Sequence, residues 1–139
     1  MQVREVMSKH VEWIAPDSTI SQAAERMRDL DIGSLPVAEN DRLIGMLTDR
    51  DIVVRCIAGG GNPGKMQVRD AMSSQVYYCR EDQPVEAVAS GMGSAQVRRM
   101  PVVNAEKRLV GILSLGDISQ SAQPEATGEA LKDISSPSS

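Results

Sequence analysis

The spacing of hydrophobic positions changes from helical to extended along the first half of the chain. A helix that opens at an Asp17 cap is predicted first. Two short apolar segments follow, Ser34–Ala38 and Arg42–Leu47, and the polar residues between them predict a hairpin. A further helix is expected from Asp49 to about Ile57. The first helix would bury one stripe of apolar residues at helical spacing, namely Ile20, Ala23, Ala24, Met27 and Leu30.

The second half of the chain shows the same order of elements. A helix capped by Asp82 is predicted to bury Val85, Val88, Ala89 and Met92. Gly91 and Gly93 are expected on its other face, where they weaken the helix. The hairpin here pairs Arg99–Val103 with Arg108–Leu113. The last helix is expected from Leu115 to about Ala122.

These matching patterns arise because the chain repeats itself. Residues 1–8 read MQVREVMS and residues 66–73 read MQVRDAMS, and later positions match at an offset of 65 and then 66. We therefore predict two repeats, residues 1–62 and 63–122, followed by a polar tail over 123–139. Each repeat starts with a helical lead-in, at Val3–Met7 or Val68–Met72. A repeat of about 60 residues is marginal alone, so the two are expected to pack together.

Each repeat is expected to follow the order β-α-β-β-α, which makes the fold class α+β with mixed helices and strands. The first strand of each repeat is predicted near Glu12–Ile14 and near Val76–Cys79.

Charge and composition exclude several classes of function. The net charge is −4, whereas non-specific binding to nucleic acid or to an anionic membrane needs a basic surface. No apolar run approaches the roughly 20 residues of a membrane span, and the N-terminus lacks the apolar stretch of a signal peptide. We therefore expect a cytoplasmic protein without nucleic-acid or membrane partners.

The sequence contains few residues that could act in catalysis or bind a metal ion. The chain has one histidine and two cysteines, which form no CxxC motif. A structural zinc site needs about four nitrogen or sulfur ligands, so no metal site is predicted. Since no nucleophile and base pair is recognisable either, we predict a protein that is not an enzyme and requires no cofactor.

The motif that carries most information ends the second hairpin strand of each repeat. The first copy runs from Gly45 to Asp51 as GMLTDRD, and the second runs from Gly111 to Asp117 as GILSLGD. In both copies a strand ends at Thr or Ser and an Asp follows three residues later. We call this Gly-h-h-Thr/Ser-x-x-Asp pattern the signature.

Two interpretations of the signature remain open. The Thr or Ser and the Asp can form a capping box, which needs no ligand. The same helix start presents unpaired N–H groups to an anion, a hydroxyl can donate to a phosphate, and an Asp can accept from the two hydroxyls of a ribose. The second interpretation describes a nucleotide site.

The sequence resembles the CBS-domain family over residues 1 to about 122. The resemblance rests on the paired Met-Ser lead-ins, on Leu35-Pro36-Val37 and Met100-Pro101-Val102, and on both signatures. The overall pattern looks like that of the small stand-alone bacterial proteins with a CBS pair, including the hypoxic-response type. The resemblance implies two repeats packed pseudo-symmetrically, two clefts for adenosine-containing ligands such as AMP, ADP or ATP, and a homodimer.

Residues of two unequal clefts follow from the resemblance, each cleft combining the signature of one repeat with early strands of the other. The first would use Thr48, Arg50 and Asp51 with Val76, Tyr77, Arg98, Arg99 and Pro101. The second would use Ser114 and Asp117 with Val11, Glu12, Gly33, Ser34 and Pro36.

Charge distinguishes the two clefts. Arg98 and Arg99 stand where the first repeat has Gly33 and Ser34, and arginine suits phosphate, so the first cleft should favour a phosphorylated ligand. Glu12 makes the second cleft less favourable for phosphate. Alternatively, the two arginines are a solvated pair on an edge strand.

We therefore predict a non-enzymatic sensor that takes an adenine nucleotide as its regulatory ligand and acts through its dimer or a regulated protein partner. The alternative is a structural or stress-associated dimer that binds no nucleotide and acts through a protein partner.

Overall fold

Helices and strands follow one another in the same order in both halves of the protein. A computed structural model describes residues 1–121, so the predictions for the 123–139 tail and for the last residue of the final helix lie outside the described residues. A mixed fold of helices and strands was predicted and is confirmed.

The first half contains four elements after its lead-in. They are α1 (Ile20–Leu30), β1 (Ser34–Glu39), β2 (Arg42–Thr48) and the short α2 (Asp49–Asp51), which continues as a π-helical segment over Ile52–Ile57. Strands β1 and β2 pair antiparallel, as predicted. The expected strand at Glu12–Ile14 is reduced to a single parallel bridge between Ile14 and Val37.

The second half contains five elements after its lead-in. They are β3 (Cys79–Arg80), α3 (Val85–Ala95), β4 (Arg99–Val103), β5 (Leu109–Ser114) and α4 (Leu115–Ser119). The sheet has the order β3-β4-β5, with β3 parallel to β4 and β4 antiparallel to β5.

The lead-ins fold as short 3-10 turns, Val3–Glu5 and Val68–Asp70, rather than as full helices. Each turn buries one valine, Val3 or Val68.

The protein divides into two compact units, and each unit contains the lead-in of the other repeat. One unit spans Glu12–Val76 and so contains the second lead-in, while the other joins Met1–Val11 to the residues from Tyr77 onward. The repeat boundaries 1–62 and 63–122 stay a prediction about the sequence.

Each unit has its own aliphatic core. In the Glu12–Val76 unit, Ile20, Leu35 and Leu47 pack with Val68 of the second lead-in. In the other unit, Val3 of the first lead-in packs with helix α3 and with the strands β4 and β5.

Helix starts differ from the expectation that Asp17 and Asp82 act as caps. The Thr19 hydroxyl caps α1 by accepting from the Gln22 amide, and the Gln22 side chain accepts from the Thr19 amide. Helix α3 begins after Pro84 without a side-chain cap, and Asp82 pairs with Arg80 instead. The prediction for Asp17 was wrong because a Thr-x-x-Gln capping box begins two residues after it, at Thr19.

Buried positions on the helices also differ in detail from the predicted stripes. Ala24 and Leu30 are exposed, whereas Ile20, Ala23 and Met27 are buried. Gly93 was expected on the outer face of α3, but it is buried because it lies four residues after Ala89 on the same side of the helix.

The signature glycines are required by the approach of the lead-ins. Ser73 pairs with Met46 through two backbone hydrogen bonds of 2.9 Å, and Ser8 pairs with Ile112 in the same way. A Cβ atom on Gly45 would lie 2.8 Å from the Ser73 carbonyl oxygen. On Gly111 it would lie 2.7 Å from the carbonyl oxygen of Ser8. Any side chain at these positions would push the lead-in away from the strand.

Replacing Gly111 with Ala should therefore lower the free energy of unfolding by about 1–3 kcal/mol, the usual cost of overpacking. Gly91 is the matched control, because it lies within α3 and a Cβ there would meet nothing within 4 Å. Gly91→Ala should raise stability by about 0.5–1 kcal/mol through helix propensity. Urea denaturation measures both changes, and a Gly111→Ala protein as stable as the Gly91→Ala protein would contradict the steric account.

Candidate functional site

The first signature forms a complete capping box where β2 meets α2. The Thr48 hydroxyl oxygen accepts from the Asp51 amide at 3.0 Å, and Asp51 Oδ2 accepts from the Thr48 amide at 2.9 Å. Both side chains are partly buried.

The second signature repeats this geometry where β5 meets α4. The Ser114 hydroxyl oxygen accepts from the Asp117 amide at 3.0 Å, and Asp117 Oδ2 accepts from the Ser114 amide at 3.0 Å. The capping interpretation is therefore confirmed for both copies.

Capping leaves part of each signature for other chemistry. A hydroxyl group that accepts through its oxygen still has its proton to donate. The second carboxylate oxygen, Oδ1 of Asp51 or of Asp117, takes no part in the cap. A donor and an acceptor thus remain at each partly buried corner.

Small residues line the first corner within the Glu12–Val76 unit. Ser34 lies opposite Thr48 in the pairing of β1 with β2, and the Gly33 carbonyl accepts from the Asp49 amide at 2.9 Å. A Cβ atom on Gly33 would lie 3.0 Å from Asp49 Oδ2, so a glycine here lets the Asp49 carboxylate sit close to the strand.

Arginines occupy the matching positions of the other unit. Arg99 lies opposite Ser114 in the pairing of β4 with β5, and the Arg98 carbonyl accepts from the Leu115 amide at 3.0 Å. Both arginine side chains are exposed. Within this unit, Arg99 therefore begins the strand next to the second signature and Arg98 directly precedes it, and their predicted use by Thr48 and Asp51 stays a prediction.

The remaining predicted site residues differ in exposure. Pro36 and Pro101 are buried on β1 and β4, Val11 and Val76 are half-buried, and Arg50 is exposed.

Glu12 forms an ion pair with Arg26. Its Oε2 accepts from Arg26 Nη2 at 2.5 Å, which joins the segment before α1 to that helix. Arg26 offsets the charge of Glu12, and the expectation that Glu12 makes the second cleft less favourable for phosphate stays a prediction. No sequence pattern predicts this pair, because Glu12 and Arg26 come together only where the segment before α1 packs beside the helix.

The second repeat has an open groove at the equivalent position. Tyr77 and Gly91 align with Glu12 and Arg26, and they line a groove of about 230 Å³ beside helix α3. Gly91 has no side chain that could bridge to residue 77 as Arg26 bridges to Glu12. Tyr77 is 65% exposed, and the Lys107 ammonium lies 5.4 Å from the ring centre of the neighbouring Tyr78. Tyr77 thus offers an accessible ring face for stacking.

Arg55 is a charged neighbour of the first signature that the sequence analysis missed. It lies in the π-helical segment, with its Nε 4.0 Å from Asp51 Oδ1, at the i,i+4 spacing that can signal an ion pair.

Metal and thiol chemistry have little support among residues 1–121. These residues contain no group of three or more His, Cys, Asp or Glu side chains arranged to hold a metal ion. Cys56 and Cys79 are buried free thiols, and burial raises the pKa of Cys79 to about 12. The thiolate that would act as a nucleophile or metal ligand is therefore disfavoured at Cys79. No helix in this described range is both long and apolar enough for a bilayer span.

Known proteins resemble this chain over almost its whole length. Hypoxic response protein 1 of Mycobacterium tuberculosis is 37% identical over 135 residues, covering 96% of this chain and 94% of that protein. A crystal structure of Hypoxic Response Protein I with two coordinated zinc ions aligns with a TM-score of 0.77 and covers 86% of this chain and 98% of that one.

Two further solved structures contain adenosine compounds. CBSX2 in complex with AMP is 25% identical, with a TM-score of 0.75, and covers 89% of this chain and 97% of that one. The CBS domain pair of protein MJ0100, in complex with 5′-methylthioadenosine and S-adenosyl-L-methionine, is 29% identical. Its TM-score is 0.71, and it covers 86% of this chain and 94% of that one.

The family model for the CBS domain matches twice, at residues 3–57 and 68–122. Both matches contain a lead-in, a hairpin and a complete signature. The chain belongs to the CBS domain family.

Proposed function

We propose that this protein is a non-enzymatic sensor that binds an adenosine-containing ligand at its two signatures. The observation that carries the proposal is the doubled capping corner, in which Thr48 with Asp51, and Ser114 with Asp117, each keep a hydroxyl proton and one carboxylate oxygen for a ligand.

The chemistry of these corners suits a nucleoside. The two hydroxyls of a ribose are donors, and Oδ1 of Asp51 or Asp117 is the acceptor that remains. The hydroxyl of Thr48 or Ser114 can donate to a phosphate oxygen. The AMP bound by CBSX2 and the adenosyl compounds bound by MJ0100 support the same class of ligand for this chain.

We further propose that the two sites differ in their preference for charge. Arg98 and Arg99 would give the ligand at Thr48 and Asp51 its phosphate contacts, with Tyr77 as a stacking surface for the base. The Ser114 and Asp117 site would take a less charged adenosyl ligand. The pairing of Arg99 with Ser114 on adjacent strands favours a second candidate, in which the arginines serve Ser114 and Asp117.

Binding would control a homodimer or a regulated protein partner in the cytoplasm. The exposed apolar side chains Val53, Val54 and Ile57 lie together on the helix after the first signature, 50–58% exposed. We propose that a second copy of the chain covers this surface, because water would otherwise hydrate three large apolar side chains.

A ligand panel provides the main test. We expect AMP, ADP or ATP to raise the unfolding temperature in a thermal-shift assay, whereas Asp51→Asn combined with Asp117→Asn should abolish the shift. At a ligand concentration of 100 Kd the expected stabilisation is about 2.7 kcal/mol. Asparagine keeps a carbonyl oxygen for the cap, so the loss would report on the ligand and not on the fold.

Asp49→Asn is the matched control and should keep the shift, because Asp49 is an exposed carboxylate in the same helix start that accepts from the Arg50 amide and lies outside the Thr48–Asp51 capping box. If NADH and S-adenosylmethionine are also tested and nothing stabilises the wild type, the ligand-free structural dimer becomes the better account.

The arginines are tested in two backgrounds that each keep one site. With Asp117→Asn, replacing Arg98 and Arg99 by Ala should weaken AMP binding at least tenfold and leave adenosine binding almost unchanged, because only AMP carries the phosphate. Isothermal titration calorimetry measures both ligands. A loss confined to the Asp51→Asn background would instead assign the arginines to Ser114 and Asp117.

The dimer surface is tested by Val54→Asp, which places a charge among Val53, Val54 and Ile57 and should convert a dimer to a monomer. Light scattering at tens of micromolar measures the mass. Ser90→Asp on the exposed face of α3 is the control and should remain a dimer. A wild-type protein of monomer mass would rule out the proposed surface.

A further inference from the structure

We infer that Arg55 is a positioning residue that couples a ligand at Asp51 to the docking of the second lead-in, residues 66–73. The inference rests on the proposed function, since it concerns the same Asp51. It goes further by assigning a regulatory route to one of the two sites only.

The Arg55 guanidinium is held in place by the lead-in. Its Nη1 donates to the carbonyl oxygens of Ala71 and Met72, both at 3.0 Å. These carbonyls end the lead-in turn and would otherwise face solvent or pair with water. With Nη1 donating to two acceptors, the charge of Arg55 has a defined position although its side chain is half exposed.

The same guanidinium lies beside the carboxylate that we assign to the ligand. Arg55 Nε is 4.0 Å from Asp51 Oδ1, which is an ion pair and not a hydrogen bond. The other oxygen, Oδ2, is occupied by the Thr48 amide. The orientation of Oδ1 is thus set from two sides, by the cap and by the charge of Arg55.

The lead-in continues directly into a contact with the signature strand. Ser73 follows Met72 and exchanges two backbone hydrogen bonds with Met46 on β2. The sulfur atom of Met72 fills the space beside Gly45, where a Cβ would lie 2.9 Å away from it. Asp51, Arg55, the end of the lead-in and strand β2 therefore form one continuous set of contacts.

Among residues 1–121, the second repeat has no arginine at the position that corresponds to Arg55. The residue that aligns with Arg55 is Ser121, whose hydroxyl donates to the Ile118 carbonyl one turn earlier. A serine side chain cannot span the distance that Arg55 covers. Asp117 therefore has a complete cap but no arginine that joins it to a lead-in.

Coupling of this kind acts in both directions. If Arg55 orients Oδ1 for the ligand while it holds the lead-in, the ligand must stabilise lead-in docking by the same factor by which docking favours the ligand. Adenosine is the right probe, because it has the ribose hydroxyls but no phosphate that Arg55 could attract by charge alone.

The experiment uses the full chain with Asp117→Asn, which leaves only the Asp51 site. Arg55→Ser, the residue found in the second repeat, should weaken adenosine binding about fivefold or more, within the usual range of coupling between sites. Arg55→Lys should restore little of this, because a lysine has a single nitrogen and cannot place one N–H group beside Asp51 while another donates to the two lead-in carbonyls. Arg69→Ser, which removes one charge from the exposed face of the lead-in, should leave adenosine binding unchanged.

Hydrogen exchange of the Ser73 amide provides the second readout, since this amide donates to the Met46 carbonyl. Adenosine should slow its exchange in the Asp117→Asn protein and have much less effect after Arg55→Ser. Without ligand, Arg55→Ser should already speed the exchange.

Two results would overturn the inference: adenosine affinity that is unaffected by Arg55→Ser, or full rescue by Arg55→Lys, which would mean that charge alone suffices. A weakening seen for AMP but not for adenosine would assign Arg55 to the phosphate instead. Failure of the proposed function looks different, because neither nucleoside nor nucleotide would then bind any form of the protein. Ser73 exchange would still test the hold of Arg55 on the lead-in.

Discussion

The close backbone approach between a lead-in and a signature strand in each unit is the constraint on which the other features depend. The carbonyl oxygens of Ser73 and Ser8 come so near to Gly45 and Gly111 that no side chain fits between them. The glycine of each signature is therefore needed for packing. This approach fixes the strand that ends at the Thr48 or Ser114 cap, and so it fixes where the cap places its free hydroxyl proton and carboxylate oxygen.

The exchange of lead-ins follows from the same contact. Residues 66–73 begin the second repeat in the sequence, yet Val68 is buried in the core of the Glu12–Val76 unit. A repeat cut at residue 62 would lose this valine, the Ser73 pairing and the two carbonyls that Arg55 holds. The core of the Glu12–Val76 unit is thus completed by a segment from the next repeat. Tandem duplication supplies each unit with the lead-in that its core buries.

Local patterns were predicted well and distant contacts were not. The hairpins are short-range, so apolar runs around a polar turn were sufficient to predict β1 with β2 and β4 with β5. The capping boxes could also be predicted from the sequence, because Thr48 and Asp51 are only three residues apart. By contrast, the pairing of Glu12 with Arg26 joins two elements, and no spacing rule suggests it. The cap of α1 is Thr19 and not the predicted Asp17, although Thr19 and Gln22 show the full capping pattern in the sequence.

Capping and ligand binding are compatible roles for each signature in this geometry. A carboxylate has two oxygens, and the cap uses only Oδ2 of Asp51. A hydroxyl that accepts in the cap can still donate. The cap holds the side chain at a fixed angle, which removes rotamer freedom that a ligand would otherwise have to remove on binding. Substituting the aspartate by alanine therefore cannot separate the two roles, since it deletes both, whereas asparagine retains the acceptor for the cap. The two signatures are equal as caps, and their differences as sites must come from their surroundings: an arginine that contacts a lead-in beside Asp51, and two exposed arginines at the start of the strand beside Ser114.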